Sequence, residues 1–255
     1  MEKNEIIKII ESIFPKEYRE PWDNSGLIID LDKEDIKKIY LSVDLLYDDI
    51  KELDDVDMVI THHPLIFKGI KEIDMNASSK LIKHMIKNDI IYYSAHTSFD
   101  VQSSGFYKFY KDKLKLSNTD FAIKVNDDMG YGVVGDIKDV SLKDLGYIIK
   151  DINNAKYIQV YKNNNRNSRL MILNGSGKDF VENAIEERPD TVITSDLGYH
   201  DIQALRNAKI NLIMQDHNSS ESAFVNIIED ILKKHTNGIE IVKNFSSFTD
   251  NVEII

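Results

Sequence analysis

The chain has 255 residues, enough for one large domain or two small ones, of which 42% are hydrophobic and 29% charged. Its formal net charge of −11 argues against general nucleic-acid binding, because neutralising phosphates requires a basic surface. The absence of cysteine excludes disulfides, zinc–thiolate centres and thiol nucleophiles, which leaves histidines and carboxylates as ligands for any metal ion.

The first segment, residues 1–10, mixes charged and apolar residues in the pattern of an amphipathic helix. It lacks the basic, apolar and small-residue order of a secretory signal. No apolar run approaches the roughly 20 residues that a membrane helix needs. The sequence therefore predicts a cytoplasmic protein without a membrane partner.

In the first half, short apolar runs alternate with helical patterns, which is typical of α/β proteins. Strands are predicted at residues 39–43, 57–61 and 90–94, and helices at residues 47–53 and 78–88. The same order recurs in the second half, with strands at residues 170–173, 190–194 and 211–215 and helices at residues 179–187 and 199–207. Between the halves we predict a glycine-bearing strand at 129–136, a helix at 141–153, a strand at 157–161 and a polar hairpin turn at 163–167.

The two halves also share short strings of sequence. Asp57-Met-Val-Ile-Thr61 matches Asp190-Thr-Val-Ile-Thr194 at four of five positions, and both third strands run into the pattern His-x-Ser-x-acid. Convergence of short strings is the alternative, but the agreement in element order favours internal duplication. We therefore expect an α/β protein of two similar three-layer lobes, residues 1–125 and 126–255, with a boundary near residue 125.

Polar segments follow the predicted strands, at the sheet edge where α/β proteins bind ligands. Six of the seven histidines lie in these segments or in the helix between them. The segments are Thr61-His-His-Pro64, Ser94-Ala-His-Thr-Ser-Phe-Asp100, Ser195-Asp-Leu-Gly-Tyr-His200 and Asp216-His-Asn-Ser-Ser-Glu221. This concentration predicts a metal site.

Five residues are the predicted metal ligands. His62 and His63 are adjacent, so their side chains point to different sides and reach two neighbouring ions more easily than one. Asp100 and Glu221 supply anionic oxygens, and His217 precedes Glu221 by four residues, at the predicted start of a helix. Three imidazoles and two carboxylates leave coordination positions for water, which fits a catalytic rather than a closed structural site.

Three further residues near the strand ends have two readings each. His96 is interpreted as a residue that orients Asp100 or holds a metal-bound water, and as a candidate proton shuttle. Asp196 either caps the following helix, which is favoured, or supports the site. His200 either packs at a helix start or assists the ligands. His84 is expected to be a partly buried helix residue, and His235 a helix C-terminal residue without function.

The only tryptophan opens the string Trp22-Asp-Asn-Ser-Gly26. One interpretation is a loop with an Asx turn and a packed indole, and this is favoured by the residues alone. The other is a wall of the ligand cleft, with Asp23 or Asn24 contacting substrate or supporting a ligand. Asn174-Gly-Ser-Gly177 follows a strand and precedes a helix, but it lacks the pattern of the known phosphate-binding loops.

Taken together, these motifs resemble the Nif-three-like dinuclear-metal proteins, many of which carry the name GTP cyclohydrolase I type 2 homologue. The resemblance runs through nearly the whole chain. It is carried by Trp22-Asp-Asn-Ser-Gly26, Thr61-His-His-Pro64, His96-Thr-Ser-Phe-Asp100, Gly130-Tyr-Gly132 with Gly135, Asp196-Leu-Gly-Tyr-His200 and His217-Asn-Ser-Ser-Glu221. It implies that His62, His63, Asp100, His217 and Glu221 bind two metal ions, with Glu221 bridging, in a cleft between two similar lobes. It also implies a ring-shaped homohexamer.

The favoured function is that of a metal-dependent hydrolase in which two divalent ions, Zn, Fe, Mn, Ni or Co, activate a shared water. The resemblance implies a nucleotide or related small molecule as substrate, with guanine C8 as the attacked atom in a GTP cyclohydrolase-like reaction. Phosphoester hydrolysis is an equally natural use of two ions. The alternative from another class is a non-catalytic regulatory or metal-delivery protein, and a third is an interaction scaffold stabilised by its ions.

Overall fold

A computed structural model describes residues 1–138, 140–246, 249, 252 and 253 of the chain. The strands are β1 (Gly26–Ile29), β2 (Lys38–Ser42), β3 (Met58–Thr61), β4 (Ile91–Ser94), β5 (Ser117–Asp120), β6 (Ile123–Lys124), β7 (Gly130–Tyr131), β8 (Val133–Asp136), β9 (Gln159–Tyr161), β10 (Arg169–Ser176), β11 (Thr191–Ser195), β12 (Asn211–Gln215) and β13 (Glu240–Lys243). The α-helices are α1 (Lys3–Ile13), α2 (Ala77–Lys87), α3 (Thr97–Asp100), α4 (Lys108–Lys113), α5 (Leu142–Ile152), α6 (Val181–Glu187), α7 (Tyr199–Asn207), α8 (His217–Glu221) and α9 (Ala223–His235). Short 3-10 segments occupy Lys16–Tyr18, Tyr47–Glu52 and Lys178–Phe180, and a π-helical turn occupies Ser103–Tyr107.

The chain folds into two compact units, Met1–Phe99 with Phe224–Ile255, and Asp100–Ala223. These limits differ from those of the predicted lobes because β13, near the end of the chain, pairs in parallel with β2 of the first unit. Backbone pairing across some 200 residues of sequence therefore draws the last segment into the first sheet. The division into lobes of residues 1–125 and 126–255 stays a prediction.

The first unit is built on a five-stranded sheet with the order β1-β4-β3-β2-β13. Its strands run parallel except β1, which pairs antiparallel with β4 at one edge. Strands β3 and β4 are buried along their whole length, which accounts for their continuous apolar sequence. Helix α2 begins at the cap Asn76, whose side chain accepts a hydrogen bond from the Ser79 amide at 2.8 Å.

The second unit is built on a six-stranded sheet with the order β5-β8-β10-β11-β12-β9. Its centre, β10-β11-β12, is parallel, and the outer strands pair antiparallel. Strand β11 is fully buried. Each unit thus contains three consecutive parallel strands whose carboxyl ends carry the polar motifs, as the α/β prediction requires.

The first residues of the two matching strings, Asp57 and Asp190, make equivalent hydrogen bonds in their two sheets. The Asp57 carboxylate accepts hydrogen bonds from the amides of Lys37 and Lys38 at 2.8 and 3.0 Å, where β2 begins. The Asp190 carboxylate accepts from Ser168 and Arg169 at 2.9 and 3.1 Å, where β10 begins. Equivalent aspartates therefore tie together the starts of equivalent strands, an agreement that supports duplication, which itself stays a prediction.

Two local predictions between the halves are wrong. Residues 163–167 do not form a hairpin turn, because β9 pairs with β12 and is separated from β10 by two strands. The amides of Asn163 and Asn164 instead donate to the side chain of Asn211 at 2.8 and 2.9 Å, so the segment crosses the ends of the parallel strands. The predicted glycine-bearing strand is broken at Gly132 into β7 and β8, which belong to different sheets.

No helix in the described part of the chain is long and apolar enough to cross a membrane.

Candidate metal centre

His62 and His63 directly follow β3, and the backbone around them is held from both sides. Their amides donate to the carbonyls of Ser42 at 3.2 Å and Val43 at 2.9 Å, which extends the pairing of β3 with the segment after β2. The carbonyl of His63 accepts the hydroxyls of Thr61 at 2.7 Å and Tyr92 at 3.1 Å. The imidazoles therefore project from a fixed turn at the end of a buried strand.

Both rings are oriented through Nδ1. His62 Nδ1 donates to the Ala95 carbonyl at 2.8 Å, and His63 Nδ1 donates to a carboxylate oxygen of Asp44 at 2.8 Å. Because a carbonyl only accepts, the proton of neutral His62 lies on Nδ1 and the lone pair on Nε2. A histidine whose Nδ1–H is bonded to a carbonyl or carboxylate in this way is prepared to bind a metal through Nε2.

His96 follows β4 and joins this pair. Its Nδ1 donates to Asp23 at 2.9 Å, which again leaves the lone pair on Nε2. Nitrogen atoms of His62, His63 and His96 lie within 4.8 Å of one another and could hold a metal ion. The sequence assigned His96 to a supporting position, whereas the structure brings its ring to the same place as the predicted ligands.

Asp23 is the buried anchor of this group of three histidines. Besides His96, its carboxylate accepts the Thr97 hydroxyl at 2.6 Å, the Thr97 amide at 3.1 Å, the Asn24 amide at 2.7 Å and the Ser25 hydroxyl. Burial raises the pKa of Asp23, but these hydrogen bonds from His96, Ser25 and Thr97 outweigh burial and hold the pKa well below its ordinary value. Asp23 therefore stays ionised and fixes the orientation of His96.

The neighbours of Asp23 in the sequence have different environments. Asn24 donates through its side chain to the Ile66 carbonyl at 2.6 Å. Trp22 is not packed as the loop interpretation expected: 57% of its surface is exposed. Its ring lies 6.0 Å from the ring of His96, centroid to centroid. Within the string, Asp23 accepts from the amide of Asn24 and the hydroxyl of Ser25. The Asx turn, which needs the amide of Ser25 as donor, stays a prediction.

In the second unit, His217 and Glu221 form one turn of α8. The helix begins at the cap Asp216, whose carboxylate accepts the Ser219 amide at 2.9 Å. His217 Nδ1 bonds to Asp196 at 2.5 Å, and His217 Nε2 lies 3.2 Å from a carboxylate oxygen of the buried Glu221. The nitrogen and the oxygen are close enough to share one ion.

Gly175 makes room for this pair of side chains. It has φ +61°, and a Cβ at this position would meet Glu221 Oε1 and would lie 3.1 Å from His217 Nε2. Its amide donates to the Ser220 hydroxyl at 2.9 Å, which holds the end of β10 against α8. Asn174-Gly-Ser-Gly177 therefore lies against the predicted ligands His217 and Glu221.

The structure agrees with some of the remaining predictions for single residues and differs from others. Asp196, with φ +56°, does not cap α7, because Gly198 is the cap; its carboxylate instead orients His217. His200 is exposed on α7 and contacts the ring of Tyr199. Asp100 ends α3 and is half-buried, and its role as a ligand stays a prediction. As predicted, His84 is partly buried on α2 and His235 ends α9.

Asp44 is a residue of the candidate site that the sequence did not reveal. It lies two residues beyond β2 and orients His63, which is 19 positions away in the sequence. The available signal was an acidic residue just past the end of a buried strand, at the same sheet edge as the histidines. The hydrogen bond that orients His62 is accepted by the backbone carbonyl of Ala95, so no side chain in the sequence could indicate it.

The fold and these side chains define a mixed α/β protein whose first unit carries a group of three histidines that could hold a metal ion. The sequence matches the profile of the family Duf34/NIF3 (NGG1p interacting factor 3) over residues 1–251. The chain belongs to this family.

Its relatives agree with that assignment. A protein of Clostridium perfringens named GTP cyclohydrolase 1 type 2 homolog is 30% identical over 251 residues, covering 95% of each chain. One of the same name from Campylobacter jejuni is 31% identical over 239 residues, covering 91% of this chain and 92% of its own. Among solved structures, a Bacillus cereus protein related to NIF3 has a TM-score of 0.86 at 17% identity, covering 100% of this chain and 99% of its own. Reduced HcgD of Methanocaldococcus jannaschii has a TM-score of 0.83 at 28% identity, covering 95% of this chain and 97% of its own.

Proposed function

We propose that the protein is a dinuclear-metal-dependent hydrolase that acts on a nucleotide or a related small molecule. The observation that carries the proposal is the shared arrangement of His62, His63, His96 and His217. Each is bonded through Nδ1 to a carbonyl or carboxylate oxygen, so each presents Nε2 for coordination. This is the orientation that metal-binding histidines adopt.

The residues of the chain fit divalent transition metals. His62, His63 and Asp100 are the proposed ligands from one part of the sequence, and His217 and Glu221 from the other. Imidazole nitrogens and carboxylate oxygens without thiolates suit Zn, Fe, Mn, Ni or Co, and we expect about two ions per chain. When bound, such ions lower the pKa of water and stabilise developing negative charge on a substrate.

His96 is proposed to serve in proton transfer or as an additional ligand. Its Nδ1 is fixed by Asp23, which stays ionised, so His96 can exchange a proton or coordinate only at Nε2. That atom belongs to the same group as the nitrogens of His62 and His63. His96 can thus accept or donate a proton where the chemistry is proposed to occur, without turning its ring.

The choice of substrate class rests on the relatives. Several carry the name GTP cyclohydrolase 1 type 2 homolog, which favours a nucleotide-related small molecule over a macromolecule. Ring hydrolysis of a purine and hydrolysis of a phosphoester are both within the reach of the proposed centre, so a test must include both. We also propose the homohexamer and the cytoplasmic location, and sedimentation velocity tests the first of these directly.

Glu221→Gln tests the proposal, because this change removes one anionic oxygen from the proposed centre with little change in size. We expect it to lower metal content and turnover strongly on a panel of nucleotides and phosphoesters, whereas His235→Gln leaves both unchanged. His235 is the matched control because it is exposed at the end of α9. Equal effects of the two changes would contradict the assignment. Full metal content with no turnover on the panel would contradict the hydrolase and favour a metal-delivery or regulatory protein.

A further inference from the structure

Two exposed aromatic side chains of the first unit lie against each other beside the group of three histidines. Trp22 is 57% exposed and Phe67 is 42% exposed, and their ring centroids are 5.7 Å apart with an angle of 47° between the planes. Burying either ring further would be favourable, since large apolar side chains gain free energy on leaving water. Their joint exposure therefore indicates a surface that is covered in use.

The segments that carry the two rings are tied to each other and to the core. The Asn24 side chain donates to the carbonyl of Ile66, the residue before Phe67, at 2.6 Å. The amide of Leu65 donates to the hydroxyl of the buried Tyr92 at 2.7 Å. These hydrogen bonds hold the two backbone segments beside each other, so a ligand would not need to bring the segments together.

The pair also adjoins the proposed chemistry. The ring of His96 lies 6.0 Å from that of Trp22 and 6.3 Å from that of Phe67, with its plane at 71° and 68° to theirs. Because the two rings are tilted by 47°, a flat molecule can stack on one of them and contact the other at an angle, and either position lies beside His96.

We propose that Trp22 and Phe67 form a stacking subsite that accepts a planar heteroaromatic ring, as in a purine, and directs its edge toward His96. The inference rests on the proposed function, to which it adds a specificity-determining pair. Aromatic faces bind bases through stacking that any flat ring satisfies, and a purine offers the largest such surface among the nucleobases. Sugar and phosphate alone would gain nothing from this surface.

Trp22 is the only tryptophan in the chain, so its fluorescence reports on this subsite alone. We expect guanosine 5′-monophosphate and adenosine 5′-monophosphate to quench Trp22 fluorescence saturably, and ribose 5-phosphate to leave it unchanged. By calorimetry, Phe67→Leu should weaken binding of guanosine 5′-monophosphate about tenfold, the size of one lost stacking contact. Phe67→Tyr should restore it, because the ring is retained.

The matched control is Phe245→Leu, which makes the same change at a ring that is 38% exposed elsewhere in the same unit. Equal affinities of wild type, Phe67→Leu and Phe245→Leu for guanosine 5′-monophosphate would overturn the subsite. Quenching by ribose 5-phosphate equal to that by the nucleotides would overturn it as well. If Phe67→Leu loses self-association but keeps its affinity for guanosine 5′-monophosphate, the subsite is overturned, and the two rings belong to an interface with a second copy of the chain.

Metal analysis of the same samples separates the two proposals. If the metal content of Phe67→Leu equals that of wild type and only the nucleotide affinity falls, both proposals stand. If the protein binds no metal, the proposed function fails, whereas the nucleotide titration of the metal-free chain still decides the subsite.

Discussion

Gly175→Ala tests whether His217 and Glu221 act as ligands or only as part of a stable helix. Gly175 has φ +61°, and a Cβ there would approach Glu221 Oε1 more closely than real Cβ contacts allow. Gly238 has φ +79°, with nothing within 4 Å of the position of its Cβ. The two changes therefore share the backbone strain of a left-handed alanine and differ in the collision with Glu221.

The magnitudes follow from this difference. The left-handed conformation costs alanine about 1–2 kcal/mol at either position. The carboxylate of Glu221 ends a flexible side chain, so it relieves the collision at Gly175 by retreating about 1 Å, with little further loss of stability. Metal–ligand distances in protein sites lie within about 0.2 Å of their standard values. We therefore expect similar unfolding free energies for the two variants, and metal binding at least about tenfold weaker in Gly175→Ala.

Two measurements check this expectation. Urea denaturation of the metal-free proteins compares stability, and competition with a chelator for Zn²⁺ compares affinity. Gly175→Ala binding zinc as tightly as Gly238→Ala would refute the reasoning, because the displaced carboxylate would then have no part in binding. A large extra loss of stability in Gly175→Ala would also refute it, because the backbone would then shift to avoid the collision and the Glu221 side chain would not.

Three further changes test the hydrogen bonds behind the site. Asp23→Asn should lower the free energy of unfolding by about 2–4 kcal/mol relative to the exposed control Asp32→Asn, because several donors lose a charged acceptor. Folding lowers the pKa of Asp23, so the loss of stability in Asp23→Asn should persist above about pH 4, the ordinary carboxyl pKa, and shrink as the pH falls further. A loss of stability that stayed constant down to about pH 2 would contradict this expectation. Asp44→Asn should weaken zinc binding about 10- to 100-fold in chelator competition, and an unchanged affinity would count against its orienting role. Tyr110→Phe should lower the free energy of unfolding in urea by about 1–2 kcal/mol, because the Tyr110 hydroxyl is buried and hydrogen-bonded, whereas the exposed control Tyr147→Phe should leave it unchanged. Burial raises the pKa of Tyr110 to about 12, so a loss of stability that varied between pH 6 and 9 would contradict this account.

Much of the fold was predictable because its strands are short, buried and apolar. The helix at Tyr199–Asn207 and the strand at Asn211–Gln215 were predicted with the limits that the structure shows. The boundaries are sharp here because polar residues and turns flank each apolar run. The repeated aspartates Asp57 and Asp190 were visible as matching strings, and the structure explains them as equivalent anchors of strand starts.

The features that escaped prediction depend on contacts between distant residues. The pairing of β13 with β2 leaves no local pattern, and neither does the separation of β9 from β10 by two strands. The bond between Asp44 and His63 joins two sheet-edge segments that only the parallel pairing of β2 and β3 makes neighbours. Similarly, the role of His96 depends on Asp23, a residue 73 positions earlier in the chain.

The most direct test of the proposed dinuclear centre is the number of metal ions that the protein retains. The chain should be stripped with a chelator, loaded with Zn²⁺ or Co²⁺, dialysed exhaustively and subjected to elemental analysis together with protein quantification. We expect about two ions per chain in the wild type and a clear loss in Glu221→Gln. A metal content near zero in the loaded wild type would contradict the central claim.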